Sequence, residues 1–304
     1  MSGAALALCG SMTVYADVVP DNGSTVSKVG SVTVIDILSP DEKGHSYNRF
    51  SSFDALGVVL NNAQSNTESR LVGGVKRNAA LAGAAARSII IDNIGDAPTR
   101  LNGLVEIAGS RADLLIAGRN GIVCNSCGFI NTNRLTLGAG ELERDASGTY
   151  RLSVDAGHGG ISVSGAGLSA PDSDINLVAQ QIELLAPVYG KDVAFHIVRG
   201  MYGIEDGRSE SLGEAFDATL GDYVGVPNVL ANGDITVYTD ARRLDMKNLT
   251  MSATGGIELR SRGGAIDVVS AKLIANDALS LQGESFSLRK TATDSGSVAL
   301  KAGN

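Results

Sequence analysis

Ala117-Gly118-Arg119-Asn120-Gly121-Ile122-Val123-Cys124-Asn125-Ser126-Cys127-Gly128 is the stretch that decides the fold, and it runs on as Phe129-Ile130-Asn131-Thr132-Asn133-Arg134-Leu135-Thr136-Leu137. Asn120-Gly121 reads as a turn, because asparagine tolerates and glycine freely adopts positive φ. Ile122-Val123 opens a strand. Cys124 and Cys127 flank Asn125-Ser126, a second turn, and Gly128 lets the chain leave in a new direction. Leu135 and Leu137 alternate with polar neighbours and give the next strand. Turn, strand, turn and strand within about twenty residues leave no room for a helix. The segment fits a chain winding into short, stacked strands.

The same habit is plainest toward the C-terminus. Ile235-Thr236-Val237, Ile257-Glu258-Leu259 and Leu279-Ser280-Leu281 recur every 22 residues, and Val298-Ala299-Leu300 follows after 19. Shorter apolar strands lie between them at Leu249–Met251, Ile266–Val268, Leu273–Ala275 and Phe286–Leu288. A period near twenty with three short strands in each is the mark of a β-solenoid. The expected fold is therefore all-β, a right-handed parallel β-helix with N-terminal cap strands. About a dozen coils at ~4.8 Å would make a rod of roughly 60 Å. A single coil buries too little apolar surface to offset the entropy of ordering it, so stability must come from several coils together.

Upstream, Ser31–Leu38 is β-branched and alternating, hence a first strand. Glu141–Val154 breaks the pattern: two polar alternating arms flank Asp145-Ala146-Ser147-Gly148, predicting an extra-helical β-hairpin that projects from the body. Short strands resume around Ile161, Ile175 and Ile182. The segment from His196 to Gly233 shows no clear period and reads as an insertion or loop excursion. His45 reads as a capping residue at the blunt end of the fold.

Composition excludes several functions. The net charge of −8 argues against a nucleic-acid groove, which needs a basic stripe. No apolar run reaches the ~18–20 residues of a membrane-spanning helix, so no transmembrane segment is expected. Thirty-eight glycines against 6 prolines and no tryptophan fit many turns around a core of small side chains.

Residues 1–16 are small and apolar and end in Val14-Tyr15-Ala16 before Asp17, the apolar region and cleavage site of a secretory signal peptide cut between Ala16 and Asp17. A basic n-region is missing, so either the leader is expected to start further upstream or export is expected to be weak. With Cys9 removed, the mature chain keeps Cys124 and Cys127, and an even pair in an exported protein suggests a structural disulfide. Free thiols, a redox Cys-x-x-Cys and half a zinc site are the alternatives. The redox motif expects a strand-to-helix context, and zinc needs partners that His45, His158 and His196 do not supply in a paired spacing. No metal and no cofactor are expected.

Asn120-Gly121-Ile122, then Cys-x-x-Cys-Gly-Phe-Ile-Asn-Thr-x-Arg-x-Thr-Leu, resembles the secretion domain of two-partner secretion exoproteins, the group of the filamentous haemagglutinins and contact-dependent growth inhibition proteins. Other segments join the resemblance. Gly44-His45-Ser46-Tyr47-Asn48-Arg49-Phe50 and Val58-Val59-Leu60-Asn61-Asn62 resemble the family's opening strands, and Gly109-Ser110-Arg111-Ala112-Asp113 its Gly-x-Arg-Ala-Asp element. Where the family carries Asn-Pro-Asn-Leu this chain has Asn78 and Leu81, and where it carries Asn-Pro-Asn-Gly-Ile it keeps Asn120, Gly121 and Ile122. Both prolines are absent. The resemblance covers most of Val32–Leu137 closely and the remainder by architecture.

The resemblance implies an exported haemagglutinin- or adhesin-like protein, secreted to the surface of a Gram-negative bacterium through the periplasm and outer membrane. Its partner would be an outer-membrane β-barrel transporter with POTRA domains, which recognises the unfolded chain; a host or neighbouring-cell surface is a further partner, and the domain is expected to be monomeric. Residues 17–232 would form the secretion domain, and 233–304 further β-helix repeats that start a longer rod. Asn78, Leu81, Asn120, Gly121 and Ile122 would shape the segment needed for partner recognition or for the first coils, and ordinary turn-and-core duty is the competing reading of the same residues. A direct adhesin is an alternative, and so is a β-helix polysaccharide-degrading enzyme. The enzyme would need aspartates such as Asp234, Asp240 and Asp245 aligned across coils, and the sequence shows no such alignment; no enzyme is expected.

Overall fold

The computed structural model describes residues 17–211, 215–221 and 228–302. The leader, including Ala16, lies outside the described residues; Asp17 is exposed, and its carbonyl accepts a hydrogen bond from the Asp54 amide at 3.0 Å.

The chain winds as a parallel β-helix with three faces. Face A stacks Val32–Asp36, Val58–Asn62, Leu104–Gly109 and the later halves of Ile122–Ile130 and Ile161–Ala170, then Val188–Gly190, Asn228–Ala231 and Thr250–Ala253. Face B begins with the first half of His45–Ala55. It continues through Ser88–Asn93, Ala112–Gly118, Thr132–Gly138, Asp174–Ala179, Val193–Ile197, Ile235–Thr239 and Ile257–Ser261. Lys272–Gly283 and Ala292–Ala302 each bend to serve faces A and B in turn. Face C runs from Asp54-Ala55 through Thr99–Leu101 and Ile182–Leu184 to Ser285–Arg289. The coil is right-handed, the hand that twisted strands impose on parallel crossovers.

The repeat holds in register: Ile235 lies beside Ile257, Ile257 beside Leu279, and Leu279 beside Val298. Alternation sends Ile235, Val237, Ile257, Leu259, Leu279 and Leu281 into one continuous core that also takes in Ile35, Phe50, Ile89, Leu114 and Phe195. Face B carries ten strands among the described residues, a ladder of roughly 45 Å and shorter than a dozen coils would give. At the N-terminal end the strands are antiparallel: Val18–Pro20 runs against the Phe50–Phe53 segment, and Thr25–Val29 against Val32–Asp36. These are the cap strands.

Two expectations change. The Glu141–Val154 hairpin does not project. Its strands Glu141–Arg144 and Tyr150–Val154 lie back on face B, with Tyr150, Leu152 and Val154 buried. The aperiodic segment after His196 is only partly an excursion, since Asp217–Leu220 and Asn228–Ala231 are regular rungs. Between them and the sixth coil, Gly200–Gly203 and Ser209–Ser211 form a second hairpin that pairs with the first into a four-stranded antiparallel sheet. His45 opens the first rung of face B at the N-terminal end of the rod, and its side chain lies under that sheet with its ring edge-on to Tyr150 at 5.7 Å. Among the described residues, no helix is long and apolar enough to cross a membrane.

A smaller hairpin, Thr67–Ser69 with Gly73–Val75, covers the outside of face A at the first coils. It is pinned on the buried carboxylate of Glu106, which accepts from the Ser69 hydroxyl at 2.6 Å and from the amides of Arg70 at 2.9 Å and Leu71 at 3.1 Å.

Candidate functional site

The residues singled out in the sequence mark the three corners of the coil. Asn78 and Leu81 sit where face A passes into face B, Asn120 and Gly121 where B passes into C, and the two cysteines where C returns to A. The structure does not gather them into one pocket.

At the first corner Asn78 caps a short 3-10 turn, Ala79–Leu81, by accepting from the Ala80 amide at 2.9 Å. Its amide nitrogen donates to the carbonyls of Ile37 at 2.8 Å and Asn61 at 2.9 Å, which end the face A strands of two successive coils. Asn78 is 4% exposed and Leu81 is 2% exposed, so the turn is fastened by a polar clamp and an apolar peg. Asn62 does similar work, donating to the carbonyls of Ala86 and Ser110, both at 2.9 Å. Asn131 follows two coils later with a left-handed φ of 64° and a bond to the Ile107 carbonyl at 2.8 Å.

At the second corner the Asn120 side chain donates to the Gly95 carbonyl at 2.8 Å, tying the third coil to the second. Gly121 adopts φ +95°, and a methyl there would meet the Gly160 carbonyl oxygen at 2.6 Å. Backbone bonds continue the stack: the Gly121 carbonyl accepts from Thr99, and the Gly160 carbonyl accepts from Ile122, each at 2.9 Å. Ile122 points into the core. Outside the corner, Pro98, Asn120, Gly160 and Gln181 line a shallow open groove.

Arg119 stands by a small polar recess with Tyr47, Arg49, Asp92 and Glu141. Burial pushes the Asp92 carboxyl above its ordinary range, against the pull of the Tyr47 hydroxyl that donates to it at 2.6 Å. Burial, and then Asp92, push the Tyr47 phenol up in turn.

At the third corner Cys124 and Cys127 are joined through their sulfurs with Cα atoms 5.3 Å apart, both buried in the core. They lie within one bent strand, Ile122–Ile130, whose register slips between Asn125 and Cys127, where Ser126 takes φ 60°. The same corner uses left-handed residues in later coils, at Gly221, Asn248, Ser270 and Lys290. Their spacing was in the sequence, but Ser270 and Lys290 are not residue types that announce positive φ.

The aspartates weighed for catalysis are engaged in structure. Asp234 accepts from the Gly256 amide at 2.6 Å, Asp240 accepts from the Arg199 amide at 3.2 Å, and Asp245 pairs with Arg243 at 2.8 Å. Aspartates do align across coils, as with Asp245 beside Asp267, but with Arg243 between their carboxylates as an ion ladder. Asp192 and Asp234 each cap a backbone amide of the next coil. Among the described residues, no group of three or more His, Cys, Asp or Glu could hold a metal ion.

Comparison with known proteins gives a consistent result. The family model described as "TPS secretion domain" matches residues 16–222. A protein named "tRNA nuclease CdiA" from Escherichia coli (strain NC101) is 33% identical over 279 residues, covering 88% of this chain and 8% of that protein. A "16S rRNA endonuclease CdiA" from Enterobacter cloacae subsp. cloacae is 33% identical over 186 residues, covering 59% of this chain and 6% of that protein. Among solved structures, the filamentous hemagglutinin secretion domain superposes with a TM-score of 0.79 at 26% identity, covering 94% of this chain and 99% of the other. The chain thus spans under a tenth of the length of these curated relatives.

Proposed function

The chain belongs to the TPS secretion domain family, and from that premise we propose that an outer-membrane β-barrel transporter with periplasmic POTRA domains recognises it unfolded and that it then folds outside the cell, templating the coils that follow. It is the secretion domain of an exported, surface-directed exoprotein of the Gram-negative two-partner type. The nuclease names belong to relatives many times its length, and the family matched here is one of secretion domains.

One observation supports the assignment of roles within that reading: the Asn120-Gly121 corner joins three successive coils through Gly95, Thr99 and Gly160. Without this corner the third coil keeps its face A and face B ladders to the second but loses the bonds that hold its turn to the coils on either side. A coil is too weak to persist alone, so a chain emerging gradually stays extended until several coils can close together. The Cys124–Cys127 ring spans only four residues and would barely thicken an extended chain in transit.

The experiment replaces Asn120-Gly121 by Ala-Ala in the full-length exoprotein, expressed with its own transporter, and measures surface export. Export should fall severely. Undiminished export would reject both the recognition role and the folding role of this corner. Denaturation of the same variant purified from the cytoplasm separates the two: lost export with unchanged stability assigns the residues to recognition.

A further inference from the structure

The four-stranded sheet outside the ladder has an order problem built into it. Its first hairpin leaves after the fourth rung of face B, and its second after the sixth, yet both reach back to the first. Tyr150 stacks on Tyr47 with ring centroids 5.6 Å apart and planes 22° apart. It also packs with Ile90 of the second rung and Leu115 of the third. Leu152, Val154 and Tyr202 cover Ala117 of the third rung and Val178 of the fifth. At the rim, Glu205 meets His45 at 3.3 Å, Arg144 meets Asp41 at 2.8 Å, and Lys43 donates to the Thr149 hydroxyl at 3.2 Å.

The strands underneath are written for this cover. Ser88–Asn93 reads Ser-Ile-Ile-Ile-Asp-Asn, and Ala112–Gly118 reads Ala-Asp-Leu-Leu-Ile-Ala-Gly; both are buried on their two sides. A parallel strand apolar on both faces must be covered twice. The core covers one side. The other is covered by Tyr47 of the first rung and by Tyr150, Leu152 and Tyr202, which emerge later, whereas outward positions of later coils such as Thr236, Glu258 and Ser280 are polar and need no such cover.

We propose that the extra-helical sheet is a clasp: the first three coils become fully closed only when the chain as far as Ser211 has folded back onto them, so the front of the rod locks late although it comes first in sequence. The holding force is the buried aromatic and aliphatic surface, since rim ion pairs of this exposure contribute little. This goes beyond the export reading and stands on packing alone, so it survives or fails whichever transporter handles the chain.

Pulse-labelling hydrogen exchange during refolding of the full 304-residue chain tests it. Amides of Ser88–Asn93 and Ala112–Gly118 should gain protection in the same phase as those of Tyr150–Val154 and Gly200–Gly203. Protection of the first coils in an earlier phase, with the hairpins still open, would overturn the proposal. A second test uses Tyr150→Ala in the folded chain. Native-state exchange in Ser88–Asn93 should quicken on the order of tenfold or more, while Ile257–Ser261 stays unchanged. A change confined to the two hairpins would also overturn it.

Discussion

The side-chain amide of Asn78 donates to the carbonyl of Ile37 at 2.8 Å, and so fastens the loop after the second coil's face A strand to the end of the first. Removing that amide strands the carbonyls of Ile37 and Asn61 in a buried corner and uncaps the turn before Leu81. Asn78→Ala should cost about 2–4 kcal/mol in urea denaturation followed by circular dichroism. Leu81→Ala should cost a similar amount, about 2–5 kcal/mol, through the cavity it leaves. An Asn78→Ala protein as stable as the parent would show that the clamp is ornamental.

Glycines at positive φ are not equivalent. Gly121→Ala carries both the left-handed penalty and a clash with the Gly160 carbonyl, whereas Gly73, at φ +75°, has nothing within 4 Å of the new methyl. Gly73→Ala should cost about 1 kcal/mol and Gly121→Ala clearly more, on the order of 2–3 kcal/mol. Equal midpoints for the two variants would contradict the packing described at the second corner.

The disulfide closes so short a loop that chain entropy supplies only ~2 kcal/mol. Reduction of the purified protein should therefore lower its melting temperature by a few degrees without unfolding it. Complete unfolding on reduction would mean that the bond does more than staple one corner.

His196 lies against Tyr202 and Tyr238, with ring centroids 4.9 and 6.3 Å away, and burial pushes its pKa down to about 4. The folded state therefore holds it neutral while the unfolded chain protonates it near its ordinary value of 6.5. Its contribution is present above pH 6.5 and is lost as the pH falls toward 4, on the order of 2–3 kcal/mol across that window. His196→Phe, which keeps a ring under the clasp, should flatten this part of the stability profile. A profile of unchanged slope would place the acid sensitivity elsewhere.

Much of the architecture is legible in the sequence. The 22-residue recurrence of Ile235, Ile257 and Leu279 sets which side chains stack, because each coil must repeat the path of the one before it to keep the ladder bonded. Asn120-Gly121 was legible as a corner for a local reason, since few residue pairs turn a chain so sharply. The tertiary structure alone settled the rest. Nothing in the alternation of Glu141–Val154 says whether the hairpin stands out or lies back; that depends on Tyr47, Ile90 and Leu115, which reach it only after four coils have wound. His45 drew its place from Glu205 and Tyr150, and Asn78 its partners from Ile37 and Asn61. Repeats and turns are encoded at fixed offsets along the chain and can be read there, whereas contacts that fold back over several coils have no fixed offset and exist only once the rod has formed.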